Sequence, residues 1–378
     1  MSSGKSIPPE LVQQGEWFMR ICNACRYCEG YCPVFPALER RLTFTEGDLN
    51  YLANLCHNCG SCYDACQYAP PHEFALNFPR LLSDIRGETY KKYAWPGWLG
   101  GLFRRNGLAV SLITAASLAL LLLAMTVLVG PAVLLSAHDA RAGGFYVVLS
   151  HKVMVLLFGA VSLAVLAALA VGFVRFWRDT GEPFSVLLNP LALGRAAVDA
   201  LRLTHLGGGG EGCILPGEQP SLARRRFHHL TFYGFALCFA ATTVAAIYHT
   251  VLGWKAPYPF WSAPVLLGTI GGLGLLIGPV GLLWLKGRRD PALSDQSQRG
   301  MDIGFLALLF LTSLTGLLLL ALRETAAMGV LLAVHLGLVL GLFLTMPYGK
   351  FVHAIYRVTA LVRYAVEESR PTPKFGSD

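Results

Sequence analysis

Eight of the ten cysteines fall into two copies of one spacing, Cys22-x2-Cys25-x2-Cys28-x3-Cys32 and Cys56-x2-Cys59-x2-Cys62-x3-Cys66. A cubane iron–sulfur cluster needs four thiolates around one body, which three closely spaced cysteines and one remote cysteine supply. In the bacterial ferredoxin run of this spacing the fourth cysteine ligates the other cluster. Applied here, one 4Fe-4S cluster takes Cys22, Cys25, Cys28 and Cys66, and the second takes Cys56, Cys59, Cys62 and Cys32. Repeated C-x2-C pairs also bind zinc. Zinc sites rarely need a third cysteine two residues on and a fourth after three more, and two dense thiol runs suit metal better than disulfides. Pro33 follows the first run and Gln67 the second, which leaves the ligand count unchanged.

Histidines form the second chemical set. His151, His228, His229, His249, His335 and His353 lie in or beside long apolar segments, where a polar group is costly to leave unpaired and ligating side chains are functional candidates. His228 and His249 are 21 residues apart and His335 and His353 18 residues apart. At the helical rise these intervals cover about 31 Å and about 27 Å, one histidine near each membrane face. Antiparallel helices then bring His249 level with His335, and His228 or His229 level with His353, the arrangement for bis-histidine b-type haem at two levels. One or two haems are expected. Pro347 and Gly349 interrupt the second helix, and His151 is the rival ligand at the outer level, replacing either His249 or His335. His57, His72, His138 and His205 read as structural or solvent-facing.

These residues need elements to hold them. Arg40 to Leu55 reads as helix, with a Thr45-x-x-Asp48 capping signature ahead of Leu49, Leu52 and Leu55, so the cysteine runs belong to a helical ferredoxin-like module. The 378 residues are 54% hydrophobic and 14% charged, well below the roughly 25% charge of soluble domains. The deficit begins near Leu108, beyond which six segments reach membrane-spanning length: 108 to 135, 145 to 174, 229 to 252, 263 to 285, 303 to 322 and 327 to 347. The fold class expected is all-α, a two-cluster module followed by a six-helix transmembrane bundle. Its divisions are residues 1–88 for the module, 89–107 for an interfacial linker, 108–364 for a cytochrome-b-like membrane domain and 365–378 for a flexible cytoplasmic tail.

No cleavable signal peptide is expected, because the first thirty residues are polar and then cysteine-rich. Arg175, Arg178, Arg195, Arg202, Arg224 to Arg226, Lys286, Arg288, Arg289 and Arg299 crowd the even-numbered connections, against Arg141, Lys255 and Arg323 on the others. Positive residues stay inside, so both termini are expected in the cytoplasm. The net charge of +8 is then topology, and no nucleic-acid partner is indicated. Between module and first span, Tyr90, Lys91, Lys92, Tyr93, Trp95, Trp98, Phe103, Arg104 and Arg105 suit the headgroup region of a lipid bilayer.

Gly207-x-Gly209-x-x-Gly212 matches the dinucleotide fingerprint formally, but no strand precedes it and no helix opens after it, so a loop docked on the cluster module is expected instead. Glycines 268, 271, 272, 274, 278 and 281 offer close helix approach, within the bundle or at a dimer face. Cys213 and Cys238 read as ordinary thiols. No flavin site, nicotinamide site or hydrolytic constellation is present in the sequence pattern.

The chain resembles the CitB family, also called tricarballylate utilization protein B, over nearly its whole length. The stretches that carry the resemblance are the two cysteine runs, Leu55 to Gly60, Gln67 to Phe74, Arg225 to His229, Ala256 to Pro259 and Thr345 to Phe351. A related region resembles the C-terminal part of a flavo-haem protein of cobalamin synthesis. The family resemblance implies a partner FAD-dependent dehydrogenase that oxidises tricarballylate to cis-aconitate. It implies that this chain, an electron-transfer subunit of an oxidoreductase in the bacterial inner membrane, passes electrons through the clusters and haem to the membrane quinone. The other reading is a quinol-linked iron–sulfur and haem reductase in cobalamin synthesis or heterodisulfide-type chemistry.

Overall fold

The computed structural model describes residues 6–139, 144–210, 212–213 and 220–371; Arg141 and tail residues 372–378 lie outside the described residues. Among these, every regular element is helical, and the one β-bridge, Cys213 with Ser221, is isolated.

The N-terminal module is built from α1 (Pro9–Cys25), α2 (Val34–Glu39), α3 (Glu46–Leu55), α4 (Ser61–Asp64) and α5 (Phe78–Tyr93). Helix α3 starts six residues after Arg40 because its cap fixes the start. The Thr45 hydroxyl accepts from the Asp48 backbone N–H at 3.2 Å, and the Asp48 carboxylate accepts from the Thr45 N–H. Leu49, Leu52 and Leu55 are fully buried on it and pack with Leu38, Leu81 and Ile85.

A 3-10 run, Gly97–Arg105, leads into α6 (Asn106–Val129), followed by the short α7 (Pro131–Leu134) and α8 (Phe145–Val148). Then come α9 (His151–Asp179), α10 (Pro190–Arg202), α11 (Ala223–Thr250), α12 (Ala263–Arg288), α13 (Arg299–Ala321), α14 (Met328–Thr345) and α15 (Val352–Glu368). Six runs are long and apolar enough to cross a membrane: Gly97–Val129, His151–Asp179, Ala223–Thr250, Ala263–Arg288, Gln296–Ala321 and Met328–Tyr348. The second begins at His151, not 145, because α8 is a separate turn and the Ser150 hydroxyl accepts from the Val153 N–H to start α9 afresh. The sixth run is 56% buried and the second and third 11%, so α14 is the bundle's centre. Large aliphatic side chains such as Leu123, Leu156, Leu163 and Ile270 face outward, as a lipid-facing surface requires.

The glycines of α12 serve packing within this bundle. A Cβ on Gly271, Gly274 or Gly278 would come within 3.0 Å of α11 main-chain atoms, so only glycine lets the two helices touch.

Two expected boundaries move. The flexible tail was to begin at 365, but that position lies inside α15, where Ala365, Val366 and Glu367 are buried. The cause is a charged cluster: the Glu367 carboxylate accepts from the Tyr51 hydroxyl at 3.0 Å and from Arg363 at 3.1 Å and also pairs with Arg41, while Asp48 pairs with Arg41 at 2.8 Å and Arg363 at 3.1 Å. The linker shifts too. Tyr90 and Tyr93 belong to α5 and are buried against Tyr356 of α15, and Lys92 ties α5 to Glu46 and Asp179. Trp98 alone of that aromatic set is strongly exposed, at 79%.

Candidate functional site

Helix α1 ends at its second ligand position. Arg26 turns the chain in the left-handed region (φ 54°) and donates its N–H to Cys22 O at 2.9 Å, which brings Cys28 back toward Cys22 and Cys25. In the second run Asn58 (φ 51°) and Gly60 (φ 95°) make the equivalent turn, and the Asn58 N–H donates to Cys56 Sγ at 3.2 Å.

The eight thiols ring two abutting cavities. Cys22, Cys25, Cys28 and Cys66 line one, and Cys32, Cys56, Cys59 and Cys62 line the other. Phe35 and Phe78, stacked at 5.4 Å, line both, and so does Cys62. Among the described residues no three His, Cys, Asp or Glu side chains are grouped as a single-ion site; each set of four surrounds a space instead. Burial pushes the Cys28 thiol up to about 11, and Cys66 adds to that. Burial raises Cys22 and Cys32 as well; the next contributors are Cys66 for the former and Cys56 and Cys59 for the latter, each across the two runs. Thiols crowded this way stay protonated alone and become thiolate when metal binds, since a coordinating thiol is deprotonated outright. The donor set and the enclosed spaces thus fit two cysteine-ligated clusters.

The surroundings of the two cavities differ. The first is flanked by Arg26 and by Tyr27, which is 67% exposed, and Gln67 donates to Cys25 Sγ at 3.6 Å. The second is walled by arginines. Arg86 and Arg357 both donate to Cys56 O, at 2.9 Å and 3.0 Å. Arg224 donates to Asn58 O at 2.8 Å and His57 O at 3.0 Å, and Arg289 donates to the Asn58 side chain. Among the described residues none of these four has a carboxylate partner. Burial pushes Arg357 and Arg289 down to about 10, with Arg86 and Arg224 the next causes respectively, so both stay charged at neutral pH. Buried cations without partners are costly, and an anionic cluster in the second cavity would offset that cost.

His57, expected to be structural, lines this cavity with His205. Its Nδ1 lies 3.1 Å from Leu55 O, and burial pushes it well below the ordinary imidazole value. The glycine loop lies beside the same cavity, against Ser61 and Tyr31. Gly208 (φ 50°) and Gly209 (φ 82°) lie against the module, and a Cβ on Gly208 would strike the Ser61 hydroxyl and come to 3.9 Å from Cys59 Sγ. The Ser61 hydroxyl donates to Gly212 O at 3.4 Å. These glycines serve close approach to protein, not to a phosphate.

Of the six candidate histidines, four meet in pairs. At the module end of the bundle His228 and His353 lie with ring centroids 6.2 Å apart. Two imidazoles bonded to one metal at about 2 Å put their ring centres about 6 Å apart. His353 Nδ1–H donates to Lys350 O at 2.6 Å, which leaves Nε2 for a ligand, and His228 Nδ1 is buried without a partner. Burial, then Lys350 and Arg357, push His353 well down, so it is neutral, the ligating form. The centroid spacing of this pair matches that of two imidazoles on one metal.

At the far end His151 and His249 stack face to face at 3.6 Å, with Tyr146 edge-on to both. That contact leaves no space for an iron between them. His335 does not meet His249; its Nδ1 is 3.1 Å from the Thr315 hydroxyl of α13. His229 turns toward Tyr233, at 5.7 Å, away from His353.

The four arginines are what the sequence pattern did not reveal. Arg224 and Arg289 counted there only as topology charges, and Arg86 and Arg357 drew no notice. The one available signal was the i, i+4 spacing of His353 and Arg357 on α15, which places both on one face.

The family described as Citrate utilization protein B matches residues 101–374, and the Citrate utilization protein B Fer4-like domain matches residues 16–92. A curated relative, Citrate utilization protein B of Escherichia coli, is 51% identical over 365 residues, covering 96% of this chain and 94% of the relative. No solved structure matches.

Proposed function

Because the chain belongs to the citrate utilization protein B family, we propose that it is a membrane-bound electron-transfer subunit serving a cytoplasmic FAD-dependent dehydrogenase. On this reading it reoxidises that enzyme, tricarballylate dehydrogenase by the resemblance of its motifs, and delivers the electrons to the quinone pool. The observation that supports it most is the order of sites: an exposed thiol cavity, a buried thiol cavity abutting it, and then the His228–His353 pair at the bundle's end.

When bound, 4Fe-4S clusters and a b-type haem supply one-electron carriers between a two-electron flavin and a two-electron quinone. The chain's own residues do the rest. Cys22, Cys25, Cys28 and Cys66 hold the cluster nearer solvent; Cys56, Cys59, Cys62 and Cys32 hold the inner one. Phe35 and Phe78 pack apolar surface between the cavities, and the glycine loop lies against the module beside Cys59. His228 and His353 would hold the haem, with His353 oriented by Lys350 O. The arginine-rich end of the bundle carries the thiol module, which the positive-inside rule puts on the cytoplasmic side of the bacterial inner membrane.

The test is direct. Purified protein should contain about eight cluster irons with matching sulfide, show bis-histidine b-haem bands, and carry electrons from the reduced flavoenzyme to a soluble quinone. Protein that assembles clusters but never accepts electrons from the flavoenzyme would sink the reading.

A further inference from the structure

Arg357 lies on α15 one turn beyond His353, so both side chains leave the same face of the helix. Its guanidinium has two arms with different fates. Nη2 donates to Cys56 O at 3.0 Å, the carbonyl of a second-cavity ligand position. Nη1 is buried and has no hydrogen-bond partner.

Apart from burial, Arg86 bears on it most, followed by the Tyr90 hydroxyl and the Cys56 thiol and then by Arg224, so the cations facing it are Arg86 and Arg224. A planar guanidinium with one unsatisfied arm among like charges is a receptor for a carboxylate, which it can meet with directed, charge-assisted hydrogen bonds. Haem brings two such carboxylates, its propionates. The His228–His353 pair, one helical turn from Arg357, is where a haem would present them.

We propose that Arg357 binds a propionate of the haem held between His228 and His353 while its other arm holds Cys56 O, making it the polar bridge from inner cluster to haem. This rests on the haem assignment above. Arg86 shares the Cys56 carbonyl but is not one turn from a haem ligand, so it serves as the internal control.

The experiment compares full-length wild type, Arg357→Gln, Arg357→Lys and Arg86→Gln, each loaded with haem carrying ¹³C-labelled propionates. Two readouts are taken: redox titration of haem and clusters, and the labelled carboxylate bands in redox-difference infrared spectra. Arg357→Gln should shift the labelled band and disfavour haem reduction about tenfold, ~59 mV for one electron, while also shifting the inner cluster. Arg86→Gln should shift the inner cluster alone. An unchanged haem potential and labelled band in Arg357→Gln overturns the proposal, because a residue that only shaped the Cys56 loop would leave both untouched. Should Arg357→Gln fail to assemble, Arg357→Lys decides: a displaced band supports the bridge and an unmoved one overturns it. Wild-type protein that binds no haem refutes the haem assignment itself, a result distinct from either.

Discussion

The two cysteine runs share one spacing and sit in opposite surroundings. The first ends beside exposed Tyr27 and has a glutamine donating to one of its sulfurs; the second has four guanidiniums on its loop, and a buried imidazole and a glycine loop beside it. Spacing decides what a run can bind. Surroundings decide what the bound group does. Nearby positive charge and hydrogen bonds to sulfur favour the more negative, reduced state of a cluster and raise its potential. On the function proposed above, the same four-cysteine pattern would make an entrance for electrons in one cavity and a more strongly attracting relay in the other.

The sharpest way to break this comparison is to exchange the remote ligands. Cys32→Ser should abolish the inner cluster and Cys66→Ser the outer one, each removing about half of the cluster iron by analysis and one of two EPR signals. Loss of the same signal in both variants would end the crossed assignment. Next in size, His353→Ala should remove the b-haem absorption while both clusters still assemble, since no cysteine of either cavity depends on that imidazole.

The loop beside the inner cavity is tested by Gly208→Val. Its left-handed backbone and its closeness to Ser61 mean that a side chain must lift the loop, so the inner EPR signal should decay in air several-fold faster while the outer signal keeps its wild-type lifetime. Equal decay of both would show that the loop protects neither selectively.

The smallest effect concerns the tie between module and α15. Burial alone would raise Asp48, but hydrogen bonds from Arg41 and Thr45 outweigh it and hold the carboxyl below the usual range. Its stabilisation is therefore present above the unfolded value of about 3.9 and is lost as pH falls through the lower folded value. Amide exchange of α15 should accelerate only below about pH 4. Asp48→Asn should accelerate it at neutral pH, by about 3 kcal/mol if the network behaves as a broken buried pair. A flat acid limb in the wild type would remove Asp48 from the tie.

Much of this was legible beforehand. The cap at Thr45 marked the start of α3 and the apolar runs marked six spans, while the cysteine spacing picked out the eight thiols that line the two cavities. What escaped the pattern were contacts between distant parts of the chain. Rise per residue placed His249 level with His335, but level is not direction: α14 turns His335 toward Thr315, and the start of α9 delivers His151 to His249. Arg224 and Arg289 look like ordinary membrane-flanking charges until the turn at Asn58 is folded beneath them. The buried face of α15 was missed because its partners, Arg41, Asp48 and Tyr51, lie more than 300 residues earlier.

That last separation bears on how the protein is made. At roughly 5–20 residues per second, the helix that covers α3 leaves the ribosome on the order of 15 to 60 s after α3 itself, once every span has been synthesised. Until then Tyr51 and Asp48 lack the Glu367 and Arg363 partners that α15 brings. The thiol module can begin its core early, yet it closes only when the last helix arrives, so completion of the membrane bundle acts as the checkpoint for sealing the module.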